Sequence, residues 1–156
     1  DGIMEAESQN SYKTNDVNAA EVQFQTNEEA YKYYTDLVEI LDVSTAENTA
    51  IFYSGPGNRA LAENFAGINH KVTLEMTSGG KYLDDLKLFE DRSPLTKQQA
   101  SEVWKRLSER YAAQASGNVY GFVLGSREQS IFKTIELPTL ERNKNITNIF
   151  TELFNL

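Results

Sequence analysis

Trp104 and Ser108 are four residues apart in VWKRLSERYAAQASG (103–117), so on a helix they share one face. A tryptophan and a hydroxyl on one face are either core and surface filler or the wall of a pocket. Two carboxylates stand where they can do chemistry. Glu136 lies near the end of the otherwise apolar SIFKTIELP (130–138), on the face that carries Phe132. Glu75 follows Val72, Thr73 and Leu74 and precedes a glycine turn. Two acids in a pocket wall suit glycosidic chemistry: one stabilises an oxocarbenium-like centre, and the other tunes water or substrate. The plainer readings are a rim carboxylate facing water or Arg127 for Glu136, a loop acid for Glu75 and a core ring for Trp104. Tyr53, beside Gly55-Pro56-Gly57, is the other aromatic able to face a cleft. Two aromatics with a carboxylate hold a cationic ring by stacking and cation–π contact, about 0.5–2 kcal/mol each.

These residues need elements to position them. Thr26-Asn27-Glu28-Glu29 offers a cap and early acids, and Tyr31, Tyr34, Leu37, Val38 and Leu41 then recur at helical intervals. TAIFYS (49–54) reads as a buried strand entering a turn, and 58–65 as a helix. KVTLEM (71–76) looks extended, and KYLDDLKLF (81–89) reads as a short helix. Ser93-Pro94-Leu95-Thr96 starts a long helix in which Val103, Leu107 and Tyr111 form one stripe and Trp104, Ser108 and Ala112 the next. Gly117 ends that helix. Residues 118–124 and 130–138 read as strands, the second stopped by Pro138, and 145–154 as a last amphipathic helix. The class is α+β, or mixed α/β, with helices early and a small sheet near the C-terminal half. Residues 1–26 are polar and aperiodic, a leader or linker to an upstream region, and 27–156 form one catalytic domain.

The 156 residues suffice for one sizeable core. A net charge of −8 argues against nucleic acid as partner, while leaving room for a small anion held by local cations or for a basic protein. There is no cysteine, so neither a disulfide framework nor a thiolate metal site is available, and the fold suits a reducing cytosol. His70, the single histidine, has no partner pattern and reads as structural or surface; a Ser-His-Asp arrangement would have to use it. No apolar run is long enough to cross a membrane, and the start Asp1-Gly2, with no initiator methionine or signal pattern, reads as a piece of something larger.

Taken together, the segments resemble the ADP-ribosyl cyclase family, the enzymes that break the nicotinamide–ribose bond of NAD. WKRLSERYAAQASGNVYGFVLGS is similar to the family's central region, with its W-x-x-x-S spacing. SIFKTIE resembles the segment that ends in the family's catalytic glutamate. TLEMTSGGKYLDDL is similar, without a gap, to the T-L-E-x-T…G…L-x-D-D-L segment, whose glutamate lines the pocket. IFYSG falls where the family has an aromatic-serine pair, ahead of a helix like LAENFA. The motifs run in order from about residue 49 to 150. The chain departs from the pattern in lacking cysteines, in having Tyr53 for the usual tryptophan, and in lacking the arginine after the pair, for which Arg59 is a candidate substitute.

The resemblance implies Glu136 as catalytic carboxylate, Trp104 and Tyr53 as nicotinamide-stacking walls, and Ser108 as a ribose or intermediate contact. It implies Glu75 as the residue that biases hydrolysis against cyclisation, and Ser54 and Phe132 as further substrate contacts. The substrate would be NAD or NADP, with no cofactor and no metal. With the absence of cysteines and the polar leader, it suggests the C-terminal toxin domain of a secreted bacterial effector. Such a domain would drain NAD in the cytoplasm of a target cell without inserting into membranes, and its producer would need an immunity protein. The competing expectations are an RNase-type toxin, disfavoured by acidic charge and a single histidine, and a non-catalytic binding module with Trp104 on its partner surface.

Overall fold

The structure, a computed structural model, describes residues 23–151. Most of the expected polar leader, residues 1–22, lies outside the described residues, as do 152–156. The element order is α1 (Asn27–Leu37), β1 (Ile51–Tyr53), α2 (Asn58–Asn69), a 3₁₀ turn (Leu74–Met76), α3 (Ser78–Asp85), α4 (Lys97–Gln114), β2 (Gly117–Phe122), a π-helical turn (Phe132–Glu136), α5 (Leu137–Arg142) and β3 (Ile146–Phe150). The three strands form one parallel sheet in the order β1-β2-β3. Ile51 stands opposite Tyr120, and Val119 opposite Ile149.

Alternation along the strands divides the core. Ile51 of β1 and Phe122 of β2 face α2, where Ala62 and Ala66 close against them. Phe52 and Val119 face the other way, onto Val103, Leu107 and Tyr111 of α4 and Leu140 of α5. The α4 stripe expected from its spacing is fully buried. Thr96 caps α4 in a reciprocal box with Gln99, which satisfies two otherwise orphaned backbone donors. The Tyr111 hydroxyl accepts from the Ile51 N–H and donates toward the carbonyls of Ile51 (2.9 Å) and Val72 (2.7 Å). It thereby ties α4 to β1 and to the segment that leads into the 3₁₀ turn.

Four local expectations are corrected. Residues 130–138 are not a strand: Phe132–Glu136 is a π turn that runs into α5. Pro138 has no N–H to give and crowds the carbonyl four residues back, so the widened turn before it is the accommodation. Residues 146–150 are β3 rather than helix, since Ile146, Thr147, Ile149 and Phe150 are strand formers and β2 offers an edge. The extended stretch from 71 shrinks to one bridge between Val72 and Ala50 before the chain curls into the 3₁₀ turn. Gly117 is the first residue of β2 rather than the helix terminator, with φ of 74° against the Asn48 side chain; Ala115 caps α4.

Candidate active site

In an open parallel sheet, a crevice forms at the carboxyl ends of the strands, where the loops diverge. Here β1 ends at Tyr53, with Ser54 directly after it, and β2 runs on into Leu124–Arg127, and beside these ends lies a cavity of about 440 Å³. All seven residues singled out in the sequence line it: Tyr53, Ser54, Glu75, Trp104, Ser108, Phe132 and Glu136. They come from β1, the 3₁₀ turn, α4 and the π turn, and only the fold brings them together.

Glu136 is 7% exposed. Its carboxyl is pushed up to about 8, first by burial and then by the nearby Glu75 charge, against a hydrogen bond from Ser108 that favours the ionised form. The Trp104/Ser108 face of α4 thus meets the Phe132/Glu136 face of the π turn. Both pairs are spaced by four residues, and each sets a ring beside a polar group. Phe132 is buried with its ring 6.3 Å from that of Phe52, which anchors the turn that carries Glu136. Across the cavity, the Tyr53 hydroxyl donates to Glu75 Oε2 at 2.8 Å. Burial first and the Glu75 carboxylate second raise the Tyr53 phenol well above its ordinary range, so it stays a donor.

At the mouth, three hydroxyls form a chain. Ser126 Oγ lies 2.8 Å from Ser54 Oγ and 2.9 Å from Ser130 Oγ. Asn58 pins the loops together by donating to the carbonyls of Ser54 (2.6 Å) and Leu124 (2.9 Å). Between them Gly55 adopts φ of 102°, and a Cβ there would lie 3.0 Å from the Leu124 carbonyl oxygen. A side chain directly after Ser54 is therefore strained on two counts, which explains the glycine where the sequence pattern expects arginine.

Two arginines reach the cavity from elsewhere. Arg59 of α2 is already engaged, its Nε 2.8 Å from Glu63 and its Nη2 3.9 Å from Asp84. Arg127 lines both the cavity and an adjoining lobe of about 340 Å³ that contains Ser54 and Ser130. Among the described residues it makes no ion pair. Sequence reasoning treated Arg127 only as a partner for Glu136, and it did not identify Ser130, Asp84 or Phe89, which also line the cavity. Ser130 and Asp84 stand inside the SIFKTIE and TLEMTSGGKYLDDL segments, but spacing alone does not aim them at a cavity; Arg127 and Phe89 lie in the loops after β2 and α3, and where those loops fold back decides their place. Among the described residues no group of three His, Asp or Glu side chains converges as a metal site. Nor is any helix among them long and apolar enough to cross a membrane.

No protein-family model matches the chain, and no curated protein sequence matches it. Solved structures do match. An ADP-ribosyl cyclase complexed with N1-cIDPR aligns with a TM-score of 0.60 at 23% identity, covering 76% of this chain and 54% of the cyclase. Aplysia cyclase complexed with substrate NGD and product cGDPR aligns at 0.54 and 25% identity, covering 69% of this chain and 49% of its own. Porcine CD38 with the covalent intermediate ribo-F-ribose-5'-phosphate aligns at 0.53 and 19% identity, covering 78% and 69%. The fold is that of the ADP-ribosyl cyclases, and the chain spans about half the length of the first two structures it matches.

Proposed function

We propose that this chain is an NAD glycohydrolase that cleaves the nicotinamide–ribose bond of NAD or NADP. The buried Glu136, hydrogen-bonded to Ser108 in a cavity shared with Trp104 and Tyr53, carries this reading. The cyclase fold supports it, as Aplysia cyclase is seen with substrate NGD and product cGDPR.

The positively charged nicotinamide ring enters between Trp104 and Tyr53, where stacking and cation–π contact hold it. Its charge beside Glu136 favours the ionised carboxylate, so the proton that the free protein holds at neutral pH leaves as substrate binds. The C1′–N bond then breaks and its electron pair passes to the ring nitrogen. Nicotinamide departs as a neutral molecule and needs no general acid, so the role needs no histidine. Glu136 stabilises the ribosyl cation left behind, and the Ser108 hydroxyl holds that carboxylate in place. Water adds at C1′ and releases a proton, giving ADP-ribose. Attack by an adenine nitrogen instead gives the cyclic product, and Glu75 biases the outcome towards water. Arg127 with the hydroxyls of Ser54 and Ser130 receives the pyrophosphate.

On this reading the domain is the toxic part of a secreted bacterial effector. It depletes NAD in the cytoplasm of a target cell, and an immunity protein shields the producer. A fold with no cysteine, indifferent to a reducing compartment, is what such a role requires.

Incubation of the purified protein with NAD, with nicotinamide, ADP-ribose and cyclic ADP-ribose followed by chromatography, tests the reaction. Wild type should consume NAD, and Glu136→Gln should lose about a hundred- to a thousandfold in rate with its fold intact. Intact NAD in the presence of well-folded wild type would sink the proposal in favour of RNA cleavage or binding.

A further inference from the structure

Tyr53 carries a hydroxyl where the sequence pattern has tryptophan, and that hydroxyl bonds a carboxylate. The acceptor is Glu75 Oε2, at 2.8 Å. The other oxygen, Glu75 Oε1, is buried and has no hydrogen-bond partner among the described residues. A carboxylate oxygen shut away from water without a donor is unfavourable, and a long side chain swings out of such a position unless something holds it. Among the described residues the hydrogen bond this carboxylate accepts is the one from Tyr53. Release has an obvious direction, because Arg59 sits in the same cavity wall and its charge is felt by both Tyr53 and Glu75.

The backbone on both sides of this contact is fixed. Ser54 N–H bonds the Phe122 carbonyl at 3.0 Å, holding the end of β1 to β2. The Thr77 hydroxyl closes the 3₁₀ turn onto the Leu74 carbonyl at 2.6 Å. What remains adjustable is the Glu75 side chain. We propose that Tyr53 is a positioning residue, whose hydroxyl holds the Glu75 carboxylate in the wall beside Glu136 and thereby sets how product divides between ADP-ribose and its cyclic form. The second half rests on the glycohydrolase reading, and the first half does not.

Two readouts separate them. Glu136 is flanked by Glu75, with Tyr53 of β1 and Tyr111 of α4 within electrostatic reach, Arg59 and Arg127 in the same cavity and Lys133 on its own turn. Asp84 also lines the cavity, where it lies 3.9 Å from Arg59, and Glu75 is the carboxylate whose charge raises Glu136. Side-chain ¹³C NMR of labelled glutamate in wild type, Tyr53→Phe and Glu75→Gln follows the Glu136 titration without any need for turnover. Tyr53→Phe should lower its midpoint by about one unit, in the direction that Glu75→Gln lowers it, because the freed carboxylate moves away. In parallel, the cyclic share of the product should rise about threefold or more in Tyr53→Phe and in Glu75→Gln, with no further rise in the double variant.

An unmoved Glu136 midpoint in Tyr53→Phe, with NAD still consumed, overturns the positioning role and leaves the glycohydrolase reading standing. A lowered midpoint in a protein that leaves NAD untouched does the reverse. A lowered midpoint with an unchanged product ratio limits Tyr53 to holding Glu75 and overturns its part in choosing the product.

Discussion

Glu136 shows what burial does to a single carboxyl group. Its folded value is raised to about 8, by burial first and by Glu75 second, with Ser108 opposing. For an acid raised on folding, the favourable contribution is complete below the ordinary value near 4.5 and is lost as pH rises toward 8. The ionised form is the one the proposed chemistry needs, so function and stability oppose each other at this residue. Glu136→Gln should accordingly be more stable than wild type at pH 9 by on the order of a few kcal/mol, and so unfold at a higher temperature, and the gap should close near pH 4.5. Thermal melts of both proteins across that range would show it; a gap that stayed constant with pH would contradict the assignment of the shift to Glu136. The same titration should appear in catalysis. The acid limb of kcat/KM should sit near 8, and that of kcat should lie lower, because bound substrate brings a positive charge to the carboxylate.

At the scale of elements, the site depends on two devices, one in α4 and one in the loops at the cavity mouth. Tyr111 is wholly buried, and its hydroxyl serves the backbone of Ile51 and Val72 at once. These two segments run directly into Tyr53 and Glu75. Tyr111→Phe keeps the ring, and the Ile51 N–H still donates to the Val72 carbonyl at 2.8 Å, but both carbonyls lose the hydroxyl's donation inside the core, so it should cost about 1–3 kcal/mol in denaturant unfolding. At the mouth, the cation available for a phosphate comes from the loop after β2, since Gly55 has neither the room nor the φ for a side chain. Arg127→Ala should raise KM for NAD about tenfold or more while leaving turnover of nicotinamide riboside, which has no phosphate, close to that of wild type. Gly55→Arg should destabilise the fold and should not rescue Arg127→Ala, even though it restores the residue type found in the sequence pattern. Rescue would show that the loop relaxes and that the cation's element is immaterial.

For the whole molecule, the net charge of −8 disfavours a polyanion such as RNA. Within the cavity the carboxylates Glu75, Asp84 and Glu136 accompany Arg59 and Arg127, and Arg127, which makes no ion pair among the described residues, is the cation open to a small anionic group. The parallel sheet explains why that site is where it is. Crossovers through α2–α4 and through the π turn and α5 place all three strand ends on one side, and the loops that leave those ends are the walls. The part of the chain that aligns spans about half the length of the cyclases whose fold it shares.

Much of the site was legible in residue type and spacing. The four-residue step from Trp104 to Ser108 reads the same in any amphipathic helix, and the α4 stripe of Val103, Leu107 and Tyr111 follows from its period. Phe132 and Glu136 were paired correctly for the wrong reason: residues four apart share a face in a strand and in a helix alike, so the pair survived the error over the element that carries it. The segments at 130–138 and 146–150 misled because short apolar runs do not distinguish a helix from a strand; the choice was made by Pro138 in the first and by the open edge of β2 in the second. The sequence by itself determined the chemical inventory: two acids, two rings, a hydroxyl and no thiol. Only the tertiary structure decided which groups touch, because a hydrogen bond between Tyr53 and Glu75, or the arrival of Arg127 where Gly55 excludes an arginine, depends on segments distant in sequence being brought within a few ångströms by the packing of the sheet and its helices.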